Sequence, residues 1–345
     1  MSERPLCWNE TEISRPLNPF WPLYARCNAG DSKRKWLELP SFPRIVDLEL
    51  TNSCNFRCLM CPTGAGALKR ARGMMAEETF IRFLKGIRGR RVGLRFIGWG
   101  EPMIHPRFLD FLSAAKQDGH LVHVNTNGSY LTSALADRLL DIGIDSIKFS
   151  VQGVTAESYR SLHQADFFEP LLETAALLYR RRADGTAPFI QISAISQGEP
   201  PALVEAFKRR VAALCDFVNV GSINGELLDV PALDADAADA GALERLAPQD
   251  GADRQYPQCP EVFDKLSVFW DGRVTACCAD SGGAMQVGDL QAQTVREIWR
   301  SPSLERYRRL LSGMNHDRLP LCRNCRDTHR LFASAGETSQ VGSAA

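Results

Sequence analysis

Short apolar runs alternate with amphipathic stretches over the central part of the chain. Six runs rich in β-branched and aromatic residues begin near residues 44, 92, 121, 145, 188 and 216, and they predict β-strands. The stretches 77–87, 106–117, 133–141, 170–182 and 200–214 repeat apolar residues at helical spacing and predict α-helices. Strands that alternate with helices form βαβ units and a parallel sheet. Six right-handed units therefore predict an α/β fold, a partial (β/α)6 barrel that stays open.

The two ends of the chain depart from this alternation. Residues 1–43 are rich in Pro and aromatic residues and predict an extended N-terminal arm, whereas residues 44–222 hold the barrel pattern. Residues 223–257 interleave Asp with Ala and Gly, a composition that buries little apolar surface and predicts a linker. A small Cys-rich domain is predicted over residues 258–332, followed by a flexible tail over residues 333–345.

Composition narrows the classes of partner. The chain has 345 residues, 41 basic and 41 acidic, so its formal net charge is zero. This balance argues against nucleic acid or an anionic membrane as the main partner. No apolar run is long enough to span a bilayer, and the N-terminus has no secretory h-region, so a cytoplasmic location is predicted. Eleven Cys in such a chain predict metal ligation rather than disulfides.

Three of these Cys follow the first predicted strand. Cys54, Cys58 and Cys61 are spaced so that a loop can place three thiolates around one face of an iron–sulfur cube. Three ligands for four irons leave one iron open to a substrate or cofactor. Zinc is the alternative, but a structural zinc site normally has four protein ligands. The next His and Cys along the chain are His105 and Cys215.

A second set of Cys lies beyond the predicted linker. Asp271-Gly272 between two apolar runs predicts a hairpin turn, which places Cys277 at the end of the second strand. Cys322 and Cys325 form a C-x2-C pair. Together with Cys259 these residues supply four thiolates, enough to hold either zinc or a cluster.

In this order, the two Cys sets resemble the radical S-adenosylmethionine (SAM) superfamily with a C-terminal twitch/SPASM domain. In that family the open iron binds the amino and carboxylate groups of SAM. One electron cleaves SAM, and the resulting 5′-deoxyadenosyl radical takes a hydrogen atom from the substrate. The resemblance implies two [4Fe–4S] clusters and a reductase such as flavodoxin or ferredoxin. The implied ligands are Cys54, Cys58 and Cys61 for the SAM-binding cluster, and Cys259, Cys277, Cys322 and Cys325 for the auxiliary cluster.

The resemblance also assigns residues at the strand ends to SAM. Residues 96–102 resemble the Gly-Gly-Glu-Pro motif that binds the SAM amino group, with Trp99 in place of a Gly. An ordinary βα turn closed by Pro102 is the alternative. Ser150 and Gln152 are predicted to alternate onto one face of the fourth strand. Met60 stands where the family has an aromatic residue beside the adenine. The residues assigned to SAM are Met60, Gly98, Trp99, Gly100, Glu101, Asn127, Ser150 and Gln152.

Cys278 distinguishes between possible reactions. If Cys277 binds the cluster, its neighbour on a strand points to the other face and remains a free thiol. In twitch-type radical epimerases of carbohydrate and aminoglycoside antibiotic pathways, such a Cys returns hydrogen to the opposite face of the substrate carbon. We therefore predict epimerisation of a small, saccharide-like substrate, with Cys278 as the catalytic residue.

Three alternatives to epimerisation stay open. A dehydrogenase would pass the substrate electron to the auxiliary cluster and would not need Cys278. Peptide modification is the second, although residues 1–43 do not resemble the usual peptide-recognition domain. The third is a non-enzymatic zinc or electron-transfer protein, which would need neither the Gly turns nor the polar strand ends. Cys7 and Cys27 lack partner spacing and are predicted to be free or buried thiols, and Cys215 has no assigned role.

Overall fold

The computed structural model describes residues 18–28, 32–182, 187–222, 259 and 261–325. Within these residues, nine strands belong to one sheet. They are β1 (Ile45–Leu48), β2 (Gly93–Phe96), β3 (Leu121–Thr126), β4 (Ser146–Ser150), β5 (Phe189–Ser196), β6 (Phe217–Ser222), β7 (Lys265–Val268), β8 (Arg273–Thr275) and β9 (Gln286–Asp289). The predicted linker, the predicted tail and Cys7 lie outside the described residues.

The described part of the chain also contains eleven α-helices. They are α1 (Trp21–Asn28), α2 (Ser32–Leu37), α3 (Glu77–Ile87), α4 (Phe108–Gln117), α5 (Ser133–Ile142), α6 (Ala156–His163), α7 (Phe168–Arg181), α8 (Pro201–Val211), α9 (Glu261–Asp264), α10 (Val295–Trp299) and α11 (Pro302–Ser312). No helix among them is long and apolar enough to cross a membrane.

The sheet has the order β6–β5–β4–β3–β2–β1–β7–β8–β9. Strands β1 to β6 are parallel to their neighbours and are separated along the chain by helices, which confirms the predicted α/β class and the six βα units of a partial barrel. Strand β7 pairs in parallel with β1, and β8 and β9 continue the sheet in antiparallel fashion. The C-terminal Cys-rich region is therefore joined directly to the first barrel strand.

The two faces of the barrel strands differ in polarity because successive residues point to opposite sides. Val46, Leu48, Phe96 and Phe149 are buried in the main hydrophobic core together with apolar residues of the helices. The opposite, inner face is polar at the level of β1 residue 47. At this level the register of the sheet aligns Asp47 of β1 with Arg95 of β2, His123 of β3 and Ser146 of β4.

The N-terminal segment forms helices over residues 21–28 and 32–37, so the predicted extended arm is wrong over these two ranges. Phe20 and Tyr24 pack with Ile45 and Leu121 and cover the N-terminal end of the sheet. Cys27 is a buried free thiol in the same cluster, where burial raises its pKa to about 12. This burial stabilises α1, which is too short to be stable alone.

Candidate active site

Strand β1 leads directly into the loop that carries Cys54, Cys58 and Cys61. All three thiols are free and partly exposed, and they follow the C-terminal end of a barrel strand, where active sites of (β/α) barrels lie. The side-chain amide nitrogen of Asn127, just after β3, lies 3.8 Å from the Cys54 sulfur and 2.9 Å from the Asn55 side-chain oxygen. The sequence-predicted residues of two strand ends are thus brought together.

The chemistry and spacing of these thiols fit an iron–sulfur cluster. Burial, and to a smaller extent the neighbouring thiolates, raises the pKa values of Cys54 and Cys58, so a bound metal favours these two residues as thiolates. Three thiols in one loop are fewer than the four ligands of a structural zinc site and suit a cluster that keeps one iron open.

His163 contacts this site, although no ligand spacing along the chain singles it out. Its Nδ1 atom lies 3.1 Å from the Cys58 sulfur, and its Nε2 atom lies 3.1 Å from the carbonyl oxygen of Val151. Tyr159 stacks on the imidazole with ring centroids 4.2 Å apart. Both aromatic residues lie on α6, a helix that the hydrophobic pattern did not predict. The Thr155 capping box at its N-terminus was the available signal.

The turn after β2 packs tightly against the approach to Cys54. A Cβ atom on Gly100 would lie 2.4 Å from the carbonyl oxygens of Thr51 and Ser53, so only glycine fits. Glu101 is buried, and its carboxylate accepts hydrogen bonds from the Thr126 hydroxyl (2.9 Å) and from the backbone N–H of Asn127 (2.8 Å). Desolvation raises the pKa of Glu101 to about 7. Its side chain therefore ties this turn to the end of β3.

Ser150 and Gln152 do not continue one strand, so their predicted alternation is wrong. β4 ends at Ser150, and the amides of Val151 and Gln152 both donate to the Ser193 carbonyl (2.8 and 3.3 Å). Gln152 has a φ of 52°, a conformation that non-glycine residues adopt mainly where the surroundings hold them. Its buried Oε1 atom has no protein hydrogen-bond partner. This acceptor fits an ammonium or hydroxyl donor of a bound SAM.

The remaining residues assigned to SAM lie close to the same end of the barrel. Met60 is partly exposed and lies between Cys58 and Cys61 in the cluster loop. Trp99 is also partly exposed, and its backbone N–H donates to the carboxylate of Glu49 at 3.2 Å. Gly98 is exposed and packs against the same carboxylate side chain.

The second Cys set, defined by Cys259, Cys277, Cys322 and Cys325, is also brought together by the fold. The predicted hairpin is present: Gly272 has a φ of 91°, and β7 and β8 flank the turn. Burial, and then the charges of Glu261, Cys322 and Cys325, raise the pKa of Cys259. The pKa of Cys277 is raised mainly by the Cys278 thiol and by burial, with a smaller contribution from Cys259, so the four thiols lie in the same region. Four neighbouring thiols, buried or partly buried, fit either an auxiliary iron–sulfur cluster or zinc.

Cys277 and Cys278 follow β8, which ends at Thr275, so the predicted alternation of these two residues on a strand is wrong. Cys278 is exposed, and a hydrogen bond between its thiol and that of the partly buried Cys277 raises the pKa of Cys277. Its sulfur lies within 4.8 Å of carboxylate oxygens of Asp47 and Glu261. Asp47 belongs to the inner face of the barrel and is bound by both Nε and Nη2 of Arg95 at 2.6 Å. Glu261 is paired with Lys265. Both carboxylates already have cationic partners. The cluster of Asp47, Glu261 and Cys278 is therefore better suited to bind a polar substrate than a metal ion.

Two family models match separate parts of the chain. Residues 48–190 match the radical SAM superfamily, and residues 259–326 match SPASM, an iron–sulfur cluster-binding domain. These domains bind SAM, a [4Fe–4S] cluster and auxiliary clusters. The matched ranges contain both Cys sets described above.

Individual relatives are distant. The chain is 31% identical over 133 residues to the tungsten-containing aldehyde ferredoxin oxidoreductase cofactor-modifying protein of Pyrococcus furiosus, over 33% of this chain and 37% of that protein. It is 24% identical over 301 residues to the PqqA peptide cyclase of Methylorubrum extorquens, over 80% of this chain and 76% of the relative. For the Pyrococcus protein and two other curated relatives, the match spans 35% to 54% of the relative's length.

The crystal structure of BtrN in complex with AdoMet and 2-DOIA has a similar fold. The TM-score is 0.53 at 16% identity, with 82% of this chain and 93% of BtrN covered. At this identity the similarity establishes the fold and leaves the substrate open.

Proposed function

Because this chain is a radical SAM enzyme with a C-terminal SPASM domain, we propose that it epimerises a carbon atom of a small, saccharide-like substrate with Cys278 as the hydrogen donor. The observation that carries the proposal is the position of Cys278. Its exposed thiol lies beside Asp47 of the inner barrel face and is hydrogen-bonded with the thiol of the partly buried Cys277.

A cluster held by Cys54, Cys58 and Cys61 would supply the electron for cleavage of SAM, and the deoxyadenosyl part of SAM would then remove a hydrogen atom from the substrate carbon. Cys278 gives its S–H hydrogen atom to the opposite face of that carbon. The C–H bond forms as the S–H bond breaks, which leaves a sulfur radical on Cys278. One electron and one solvent proton restore the thiol, with the electron supplied by a reductase of the flavodoxin or ferredoxin class.

In this proposal SAM lies against the C-terminal ends of β1 to β5. Its amino group is bound at the turn that contains Gly98, Trp99, Gly100 and Glu101. Gln152 offers a buried acceptor without a protein donor, and Ser150 precedes it at the end of β4. Asn127 and Met60 complete the set beside the thiols. The auxiliary cluster is assigned to Cys259, Cys277, Cys322 and Cys325.

The test compares wild type with Cys278→Ala in D2O, using reconstituted enzyme, SAM, a reductant and a panel of saccharides. Wild type should give an epimer that carries one solvent-derived deuterium at the inverted carbon. Cys278→Ala should still form 5′-deoxyadenosine but no epimer. Cys215→Ala is the matched control, since Cys215 is a buried thiol whose sulfur donates to the Val211 carbonyl away from both clusters. Full turnover by Cys278→Ala, with product free of deuterium, would rule the proposal out.

Peptide modification is the second candidate. It is favoured by the match to PqqA peptide cyclase, which extends over 80% of this chain. The panel therefore includes short peptides, and a peptide product that forms without Cys278 would favour this candidate. An oxidised sugar that forms without Cys278 would instead indicate a dehydrogenase.

A further inference from the structure

Glu49 occupies a junction between the cluster loop, the turn after β2 and the C-terminal hairpin (residues 265–281). It directly follows β1 and is 3% exposed. Its two carboxylate oxygens bind Arg70 in a bidentate ion pair, with distances of 2.8 and 2.7 Å. Oε2 also accepts from the backbone N–H of Trp99 at 3.2 Å, and Oε1 from that of Trp270 at 3.4 Å. One side chain thus contacts three segments that are remote in sequence.

Arg70 extends the junction to the far side of the hairpin. Its Nε atom donates to the carbonyl oxygen of Ser281 at 2.7 Å, and its guanidinium lies 3.8 Å from the centroid of the Phe269 ring. Phe269 and Ser281 flank the segment that carries Cys277 and Cys278. The Arg70 side chain is 2% exposed, so all of these contacts are shielded from water and from screening by salt.

The packing around Glu49 requires close approach on both sides. A Cβ atom on Gly98 would lie 2.6 Å from the Cβ atom of Glu49, so glycine allows the turn to rest directly on this side chain. A Cβ atom on Gly73 would lie 2.5 Å from the indole ring of Trp270, whose Nε1 atom donates to the Ala71 carbonyl at 3.2 Å. The turn after β2 and the hairpin therefore cannot shift independently of the ion pair.

We propose that Glu49 and Arg70 are positioning residues that transmit SAM binding at the turn after β2 to the hairpin that carries Cys277 and Cys278. The inference rests on the proposed position of SAM at residues 98–101. SAM that orders this turn also orders the Trp99 N–H bond to Glu49. The remaining bonds of Glu49 and Arg70 then hold the hairpin more firmly, so that the donor thiol is fixed only when SAM is present. Such coupling can be measured, because binding of SAM at one segment then slows amide hydrogen exchange in the other segment.

The experiment is amide hydrogen exchange on the cluster-loaded protein, with and without saturating SAM and without reductant. In wild type, SAM should slow exchange in peptides that cover residues 97–103 and also in peptides that cover residues 269–283. In Glu49→Gln, the first peptide should remain protected by SAM, whereas protection of the second should fall at least fivefold. Because coupling is reciprocal, the affinity for SAM should fall by a similar factor.

Two further variants separate coupling from a loss of folding. Arg70→Lys keeps the charge but cannot bind Glu49 and Ser281 together, so it should lose the same remote protection. Asp216→Asn is the matched control, since Asp216 forms a bidentate pair with Arg182 in which both side chains are largely buried, and its Oδ2 atom accepts from the amide of Ile190. It should retain the effect of SAM on both peptides.

The outcomes distinguish this inference from the function on which it rests. Absence of protection at residues 97–103 in wild type would overturn the position of SAM and the inference together. Protection there, but not at residues 269–283, would overturn the inference alone. The inference alone would also be overturned if SAM still protected the hairpin in both Glu49→Gln and Arg70→Lys.

Discussion

The Nδ1 atom of His163 lies 3.1 Å from the sulfur of Cys58, a residue 105 positions earlier in the chain. The imidazole is buried and cannot turn freely, because Nε2 is bonded to the Val151 carbonyl and Tyr159 stacks on the ring. A group fixed in this way orients a metal ligand before the metal arrives.

His163→Phe should weaken the SAM-binding cluster. Because Nε2–H donates to Val151, Nδ1 accepts from the Cys58 S–H; phenylalanine keeps the stacking with Tyr159 but can neither orient this thiol nor accept the proton that leaves when the sulfur binds iron. Loss of a group that orients a metal ligand typically lowers metal affinity by about 10- to 100-fold. We therefore expect iron of one cluster to be lost to a chelator about ten times faster than in wild type, measured by absorbance under anaerobic conditions.

His120→Phe provides the control for this measurement. His120 is also buried, but it lies at the N-terminal end of β3, where its Nδ1 accepts from the Val92 amide. It should leave the rate of iron loss unchanged. Equal rates in His163→Phe and wild type would show that His163 does not support Cys58.

Iron content separates the two Cys sets. Anaerobically reconstituted wild type should hold about eight irons, and the Cys54/Cys58/Cys61→Ala variant about four. A Cys322/Cys325→Ala variant should also lose about four irons but keep the ability to cleave SAM when reduced. Zinc instead of iron in anaerobically prepared protein would contradict both cluster assignments.

The elements that the sequence predicted well are those with a strong local pattern. The helix Glu77–Ile87 was predicted to the residue because Phe80, Phe83, Leu84 and Ile87 form one apolar side that is buried in the core. The six barrel strands begin within one residue of their predicted starts. The cluster loop was found because its Cys spacing is a local feature of the chain.

The features that were missed depend on contacts between remote segments. Helix α6 has eight residues, and its burial comes from Tyr159, Leu162 and His163 meeting the cluster loop and neighbouring helices. Pairing of β7 with β1 joins residues more than 200 positions apart. The ion pair of Glu49 with Arg70 lies on two segments whose approach is set by this packing. No local pattern reports such contacts.

Gly100→Ala should impair SAM binding. The added Cβ would lie 2.4 Å from the carbonyl oxygens of Thr51 and Ser53, so the turn or the segment before Cys54 must move. A displacement of the SAM-binding turn should lower SAM affinity at least tenfold, measured by equilibrium binding to cluster-loaded protein. Gly282→Ala is the control, because nothing lies within 4 Å of its added Cβ. It should bind SAM as wild type does, and an equal affinity in Gly100→Ala would contradict the proposed position of SAM.

Glu101 should make stability depend on pH in a definite direction. Burial raises its pKa in the folded protein from 4.5 to about 7, so the folded state favours the neutral carboxyl. The associated stabilisation is complete below about pH 4.5 and is lost as pH rises through about 7. Since one pKa unit corresponds to about 1.4 kcal/mol, the loss amounts to roughly 3 kcal/mol. Glu101→Gln cannot ionise and should not show this loss.

The measurement is the free energy of unfolding by denaturant between about pH 5 and about pH 8, for cluster-loaded wild type and Glu101→Gln. Any pH dependence of the clusters cancels in the difference between the two proteins. That difference should move in favour of Glu101→Gln as pH rises, by roughly 3 kcal/mol. Glu78→Gln, on the exposed side of α3, should track wild type throughout. A difference that stays constant within about 0.5 kcal/mol would mean that Glu101 is ionised in the folded protein over the whole range, and that the turn beside the SAM site carries a full negative charge.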